Sequence, residues 1–331
     1  RLHFEGVYYK KKTKDLLAEV PGISGTVPGI GNLGSIENSG VELALSWRDR
    51  IGDWNYNVGM NLATIKNKVL SLVQEGYSII AGDKQQSYTM AGYPIGYFYG
   101  YKVEGVYQTQ EEIEHSPKNT LATVTPGDLK FRDLDGNNVI SIGKNTVDDP
   151  GDREIIGNNQ PRYHYGATLA LQWAGIDFSI FFQGIGRQDW YPAANALAFW
   201  GPYARPYATY LPKNFHTQIW SEENPNSYFP RPRGYTALQG TNRELTAVND
   251  RYLQNIGYCR LKNLTVGYTL PRQWTRKALI ESLRIYFTGE NLFTWSGIRS
   301  DYIDPEMAAT NGNLRLYPWQ RTYMFGVDVT F

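Results

Sequence analysis

The eleven-residue stretch 54–64 places the tightest constraint on what this chain can fold into. From position 54 onward, Trp54, Tyr56, Val58, Met60 and Leu62 alternate strictly with Asn55, Asn57, Gly59, Asn61 and Ala63. Successive side chains of a β-strand point to opposite faces, so this period of two makes one face apolar and the other small and polar. At about 3.3 Å per residue and a tilt of about 40°, such a strand spans roughly 25–28 Å, the height of a transmembrane barrel's apolar band.

The pattern recurs. Val41, Leu43, Leu45 and Trp47 alternate with Glu42, Ala44 and Ser46, and the turn 48–53 leads into the first strand. Tyr163, Tyr165, Ala167, Leu169, Leu171 and Trp173 alternate with His164, Gly166, Thr168, Ala170 and Gln172. A tight turn at Ala174-Gly175 precedes Ile176, Phe178, Ile180 and Phe182. Leu264, Val266, Tyr268 and Leu270 follow, then Leu283, Ile285 and Phe287, and finally Tyr323, Phe325, Val327, Val329 and Phe331.

A soluble β-sandwich also alternates, but two features favour a barrel. Aromatics stand at both ends of the apolar faces (Trp54; Tyr163 and Trp173; Tyr323 and Phe331), as interfacial girdles do. Connections also alternate between short (48–53, 173–176, 271–282) and long (15–36, about 70–160, 187–254, 292–320), whereas sandwich strands recur at regular intervals.

The expected fold is therefore an all-β transmembrane antiparallel barrel with eight crossings, near 2–12, 40–48, 54–66, 161–173, 176–186, 257–270, 283–291 and 321–331. The Tyr-Gly-rich segment 93–107 is expected to form an extracellular hairpin extension rather than a ninth crossing. Small closed barrels fill their lumen with side chains, yet the inward sets here are Asn, Gly, Ser, Thr and Ala. An open sheet edge in lipid leaves backbone groups unpaired, so more strands are expected upstream. The first residue is Arg1 rather than Met, and the N-terminus with any targeting segment is expected to lie upstream too.

Composition excludes several alternatives. Lys and Arg total 33 against 32 Asp and Glu, so the net charge of +1 gives no electrostatic case for nucleic acid. The single cysteine, Cys259, excludes an intrachain disulfide and a cysteine metal cluster. The densest apolar stretch, 167–185, is broken by Gln172, Asp177 and Gln183, which rules out a transmembrane helix. His3, His115, His164 and His216 stand in no hydrolase or metalloenzyme spacing, and Glu111, Glu112 and Glu114 read as a solvated helical turn. An enzyme is not expected.

Several motifs carry a resemblance. Residues 34–43, Gly-Ser-Ile-Glu-Asn-Ser-Gly-Val-Glu-Leu, resemble a stretch of TonB-dependent receptors. The block Gly92-Tyr93-Pro94-Ile95-Gly96-Tyr97-Phe98-Tyr99-Gly100 resembles one in the SusC/RagA family. So do Pro126-Gly127-Asp128-Leu129-Lys130-Phe131, Ile156-Gly157-Asn158-Asn159-Gln160-Pro161, residues 258–265, Gly289-Glu290-Asn291-Leu292-Phe293, Tyr302-Ile303-Asp304-Pro305-Glu306 and Tyr317-Pro318.

The resemblance implies the C-terminal part of a bacterial outer-membrane barrel of about 22 strands, with plug, N-terminal strands and TonB-contacting segment outside residues 1–331. It further implies a SusD-like surface lipoprotein partner, energy relayed through TonB, and oligosaccharide or peptide cargo, with lipid and lipopolysaccharide around the wall. A non-energised porin or surface adhesin stays open as the alternative. The aromatic end of the strand Tyr323, Phe325, Val327, Val329, Phe331 implies an assembly signal for the outer-membrane insertion machinery.

Two groups of residues qualify as sites. Asp133, Asp135 and Asn137, followed by Gly136-Asn137-Asn138, look like the first half of an EF-hand-type calcium loop. Position twelve of that loop is Lys144, so Asp148, Asp149 or Asp152 is expected to complete an oxygen cage for Ca2+, which the fold itself does not require. In the loop after 187, Trp190, Tyr191, Trp200, Tyr203 and Tyr207 are candidate stacking surfaces for sugar or peptide. The competing reading is that they pack the loop itself.

Overall fold

The computed structural model describes residues 1–20, 29–32, 34–72, 78–81, 86–144, 149–204, 211, 213–233, 237–238, 245–300, 302–308, 310, 317 and 319–331. Eight long strands build one antiparallel wall: β1 (Leu2–Thr13), β2 (Ser35–Ile51), β3 (Trp54–Thr64), β4 (Tyr163–Trp173), β5 (Ile176–Ile185), β6 (Tyr258–Thr269), β7 (Ser282–Ser296) and β8 (Thr322–Thr330). Each pairs with the next in sequence, an up-and-down meander. Among the described residues neither β1 nor β8 has an outer neighbour, so the wall is open at both edges.

The expected crossings are present, with shifted ends. β2 starts at Ser35 and runs to Ile51, leaving only Gly52 and Asp53 in the first turn. Gly52 takes a left-handed φ of +59°, which a two-residue hairpin demands. Ala174 and Gly175 do the same for the second hairpin at φ of +47° and +85°. The third turn, 270–281, is longer and holds a short helix at Arg272–Thr275. β7 extends past its expected end because a bulge at left-handed Asn291 (φ +52°) takes up the register shift opposite Leu261 and Asn263.

The register turns the alternation of single strands into two continuous faces. Phe4, Leu45, Met60, Ala167 and Phe182 follow one another directly across β1 to β5. Farther along, Val266, Phe287 and Phe325 do so across β6 to β8. This is the outer, apolar belt. Trp54 and Trp173 stack at 4.9 Å and 5° beside the short turns, a girdle at that end of the wall. On the other face Ser46, Gly59, Thr168, Phe181 and Asn263 line up instead.

The inner face also holds an ion-pair ladder. Arg284 on β7 reaches over Gly267 to Asp177 on β5 at 2.7 Å and meets Asp328 on β8 at 3.0 Å. A Cβ at Gly267 would come within 2.5 Å of Asp177 Oδ1, so the glycine leaves the lane that the bridge crosses.

The buried core lies in the long connections, away from the wall. Phe98, Tyr101, Leu129, Phe131, Ile140, Trp200, Phe229 and Tyr252 are among a single buried cluster. Tyr97–Tyr101 pairs with Arg153–Asn158 and Ser87–Met90 in a separate four-stranded sheet, so this part of 93–107 makes no ninth crossing. Residues Val103–Val106 turn away to pair with Leu129–Phe131. Gln110–Glu114 is the short helix expected there, capped by Thr109.

Candidate functional site

Long loops on one end of the wall and short turns on the other set its direction: the loop core marks the extracellular side. There the structure corrects the expectation of a stacking platform. Trp190, Tyr191, Trp200 and Tyr203 are 7%, 2%, 0% and 0% exposed. Trp200 packs edge-on to Phe199 and Tyr252 and donates its indole N–H to Ala193 O at 2.9 Å. Tyr203 stacks on Phe229 and donates to Pro230 O. These four rings hold the loop together and offer no face to a cargo. Trp200 and Tyr203 are covered by Phe229, and Trp200 also by Tyr252, long-range contacts that no local pattern reports. Tyr207 lies outside the described residues.

Burial also sets the phenol chemistry of this core. Tyr252 is held well above the usual tyrosine range by loss of hydration, and Tyr228 is pushed up to about 12 for the same reason. Tyr228 accepts from Gln254 Nε2 at 2.9 Å and donates to Arg251 O at 2.8 Å. Both phenols are neutral hydrogen-bonding groups here.

The acidic loop is a hydrogen-bonded turn. Asp133 accepts from the N–H of Gly136 and of Asn138, both at 2.7 Å. Asp135 accepts from Asn137 N at 3.0 Å, and Asn137 Oδ1 from Val139 N at 2.7 Å. Partial desolvation opposes ionisation of Asp133, but the N–H groups of Asn138 and Gly136 outweigh it and hold the carboxyl below its usual value.

Of the two described carboxylates that could close the loop, Asp149 and Asp152, it is Asp152 that joins Asp133 and Asp135. Asp152 is fully buried, accepts from Leu134 N at 2.9 Å and Ser141 N at 2.7 Å, and lies with Asp133 and Asp135 so that one oxygen of each is within 4.8 Å of the others. Lys144 turns away toward Asp149, at 3.8 Å. Asp148 lies outside the described residues. The three carboxylates form an all-oxygen donor set, the chemistry a hard divalent cation selects, while Asn137 turns its Nδ2 to Asp135 at 2.8 Å.

A second constellation was visible in the sequence only as a motif. Arg260 on β6, 0% exposed and directly opposite Gln183 and Thr294, sits on the inner face. Its guanidinium donates to Thr294 Oγ1 at 2.9 Å, Glu306 Oε2 at 2.9 Å and Asp304 Oδ2. Lys262 adds a bond to Glu306 at 3.0 Å and lies 4.7 Å from the Trp319 ring. The last long loop is thereby pinned to the wall at Pro305–Ala308. The usable sequence signal was an arginine among small polar lumen residues with two acids around Pro305.

His164 faces the lumen opposite Ala63 and Ile185, as the alternation predicts. The terminal strand places Tyr323, Phe325, Val327 and Val329 opposite Gly289, Phe287, Ile285 and Leu283, and Phe331 is 85% exposed past its end.

Comparison with known proteins agrees with this architecture. No family model matches the chain. Over its whole length the chain is 30% identical to TonB-dependent receptor P3 and 29% identical to TonB-dependent receptor P26, both of Formosa agariphila, of which it spans 32% and 33%. Over 98% of the chain it is 23% identical to TonB-dependent receptor SusC of Bacteroides thetaiotaomicron. Among solved structures, the RagAB peptide transporter superposes with a TM-score of 0.70 at 22% identity, over all of this chain and 33% of that one. The chain thus spans about a third of the length of the curated relatives it matches. Its meander of strands and its outer belt agree with this end-to-end similarity to TonB-dependent receptors, and the chain is a stretch of an antiparallel β-barrel of the bacterial outer membrane.

Proposed function

We propose that this chain is part of the wall and extracellular loops of an importer that carries oligosaccharides or peptides across the outer membrane. TonB supplies the energy and a SusD-like lipoprotein covers the mouth. The single supporting observation is the similarity to TonB-dependent receptors along the entire chain. The peptide option draws on the RagAB peptide transporter, the oligosaccharide option on the family resemblance of the motifs. The deciding experiment measures uptake of labelled oligosaccharides and peptides by cells lacking the full-length gene, with and without complementation and with TonB uncoupled. Uptake that needs both the gene and TonB supports the reading. Uptake that needs the gene but survives uncoupling would replace it with the non-energised porin.

Within that reading, the loop at Asp133, Asp135, Asn137 and Asp152 takes a calcium ion that ties 133–141 to the strand beginning at Arg153. Calcium removal, or Asp135→Ala, is then expected to increase protease cutting within 108–144. Added calcium should protect the parent protein but not the variant. Identical cutting in all four samples would leave only a hydrogen-bonded turn.

The terminal strand acts in the same reading as the signal read by the insertion machinery. Losing one girdle aromatic costs about 1.5–3 kcal/mol of burial. Deleting Phe331 from the full-length protein is expected to lower the inserted amount much more than it lowers the melting temperature of whatever inserts. Normal outer-membrane levels would reduce Phe331 to a girdle residue.

A further inference from the structure

The outer face of the wall does not end at its apolar belt. Above Tyr8 and Val41, the next outward residues across β1, β2 and the strand Lys66–Ser71 are Lys10, Ser39 and Lys66 in one row. One step higher come Lys12, Glu37 and Lys68. All four lysines are exposed. Strands are about 4.8 Å apart and alternate residues about 6.7 Å, so these side chains leave the backbone from a patch of about 10 by 7 Å.

Within the two rows Glu37 is the acidic side chain, and Lys10 engages it at 3.1 Å. Four positive charges against one negative leave a net +3 on this patch. Like charges on one sheet face repel, and nothing in the hydrogen bonding of the strands requires lysine there. Lower down, the same face is the belt: Tyr8 is 70% exposed, Val41 38% and Leu43 37%. A cleft of about 580 Å³ opens beside Lys66 and Lys68, continued by Arg162 and Arg187, with Asp189 as its carboxylate.

We infer that this extracellular outer face, formed by Lys10, Lys12, Lys66 and Lys68, binds the phosphate groups of a phosphorylated glycolipid of the outer leaflet. The position carries the argument. Acyl chains cover the belt, so the phosphates of the same lipids come to lie at its upper margin, where the lysine rows stand. Lysine suits that height because its stem packs on apolar surface while its ammonium reaches the headgroup. Each lysine close to an anionic lipid surface contributes about 1 kcal/mol, roughly a fivefold gain in binding.

The test uses the full-length protein in nanodiscs containing phosphorylated outer-membrane glycolipid, with retained glycolipid counted by native mass spectrometry. Changing all four lysines to Gln is expected to lower retention at least tenfold, and changing all four to Arg to preserve it. Lys11→Gln with Arg48→Gln is the charge control, since the two face the lumen opposite Asn38 and Asn57. Dephosphorylated glycolipid should be retained weakly by every variant. Equal retention by the parent and the Gln variant would overturn the inference, as would an equal loss in the charge control. Release of glycolipid by millimolar inorganic phosphate would also overturn it, by marking a free-phosphate site. If the four-fold variant fails to insert, Lys66→Gln with Lys68→Gln is measured instead, and an unchanged count there would be equally fatal.

Discussion

Arginine at Val58 is expected to impair barrel assembly far more than arginine at Asn57. Val58 is the fifth of eleven residues in β3, near mid-membrane, and lies opposite Trp47 and Leu169 on the apolar belt. Asn57 is opposite Arg48 and Ala170 on the lumen face, where a cation already stands and water is accessible. A charge on the lipid face at the midplane costs roughly 2–4 kcal/mol, because the guanidinium must keep its hydration or thin the bilayer around it. On the wet face the cost is a small fraction of that. Folded fractions from urea titrations in liposomes should therefore shift strongly for Val58→Arg and little for Asn57→Arg. Equal shifts would mean that the two faces have been assigned the wrong way round.

A second large effect is expected at Arg260. Removing one partner from a buried ion pair typically costs 3–5 kcal/mol, because the remaining charge stays desolvated. Arg260→Met would leave Asp304 and Glu306, 12% and 25% exposed, against the inner wall, with Lys262 able to compensate only Glu306. The expected result lies at the lower end of that range and is local. Amide protection in Pro305–Ala308 should fall by about a hundredfold, while β6 and β7 keep theirs. Lys262→Met should have a smaller effect, since its pair with Glu306 is partly wet. Unchanged protection in the Arg260 variant would assign the anchoring to the apolar burial of Ile303 and Ala308 instead.

The wall was legible in the sequence because each of its interactions is between chain neighbours. Every strand pairs with the next, so a period of two within Trp54–Thr64 or Tyr163–Trp173, together with a turn such as Ala174-Gly175, already contains the pairing. The lipid reinforces this, since it demands one apolar face of every strand and leaves no choice about which one. The extracellular side follows different rules. Trp190 and Trp200 looked like available surface, yet Trp190 packs against Phe199, and Trp200 against Phe229 and Tyr252. Asp152 joins Asp135 and Asp133 across 17 and 19 residues, and Arg260 finds Asp304 and Glu306 more than 40 residues away. Contacts closed over such distances are selected by three-dimensional packing and by where a buried charge finds a partner, and a local residue pattern carries neither. The path of the strands and their lipid-facing sides were therefore determined by the sequence alone. Which aromatics became core, which carboxylate closed the acidic loop and how the last loop was fastened to the wall were decided only by the tertiary structure.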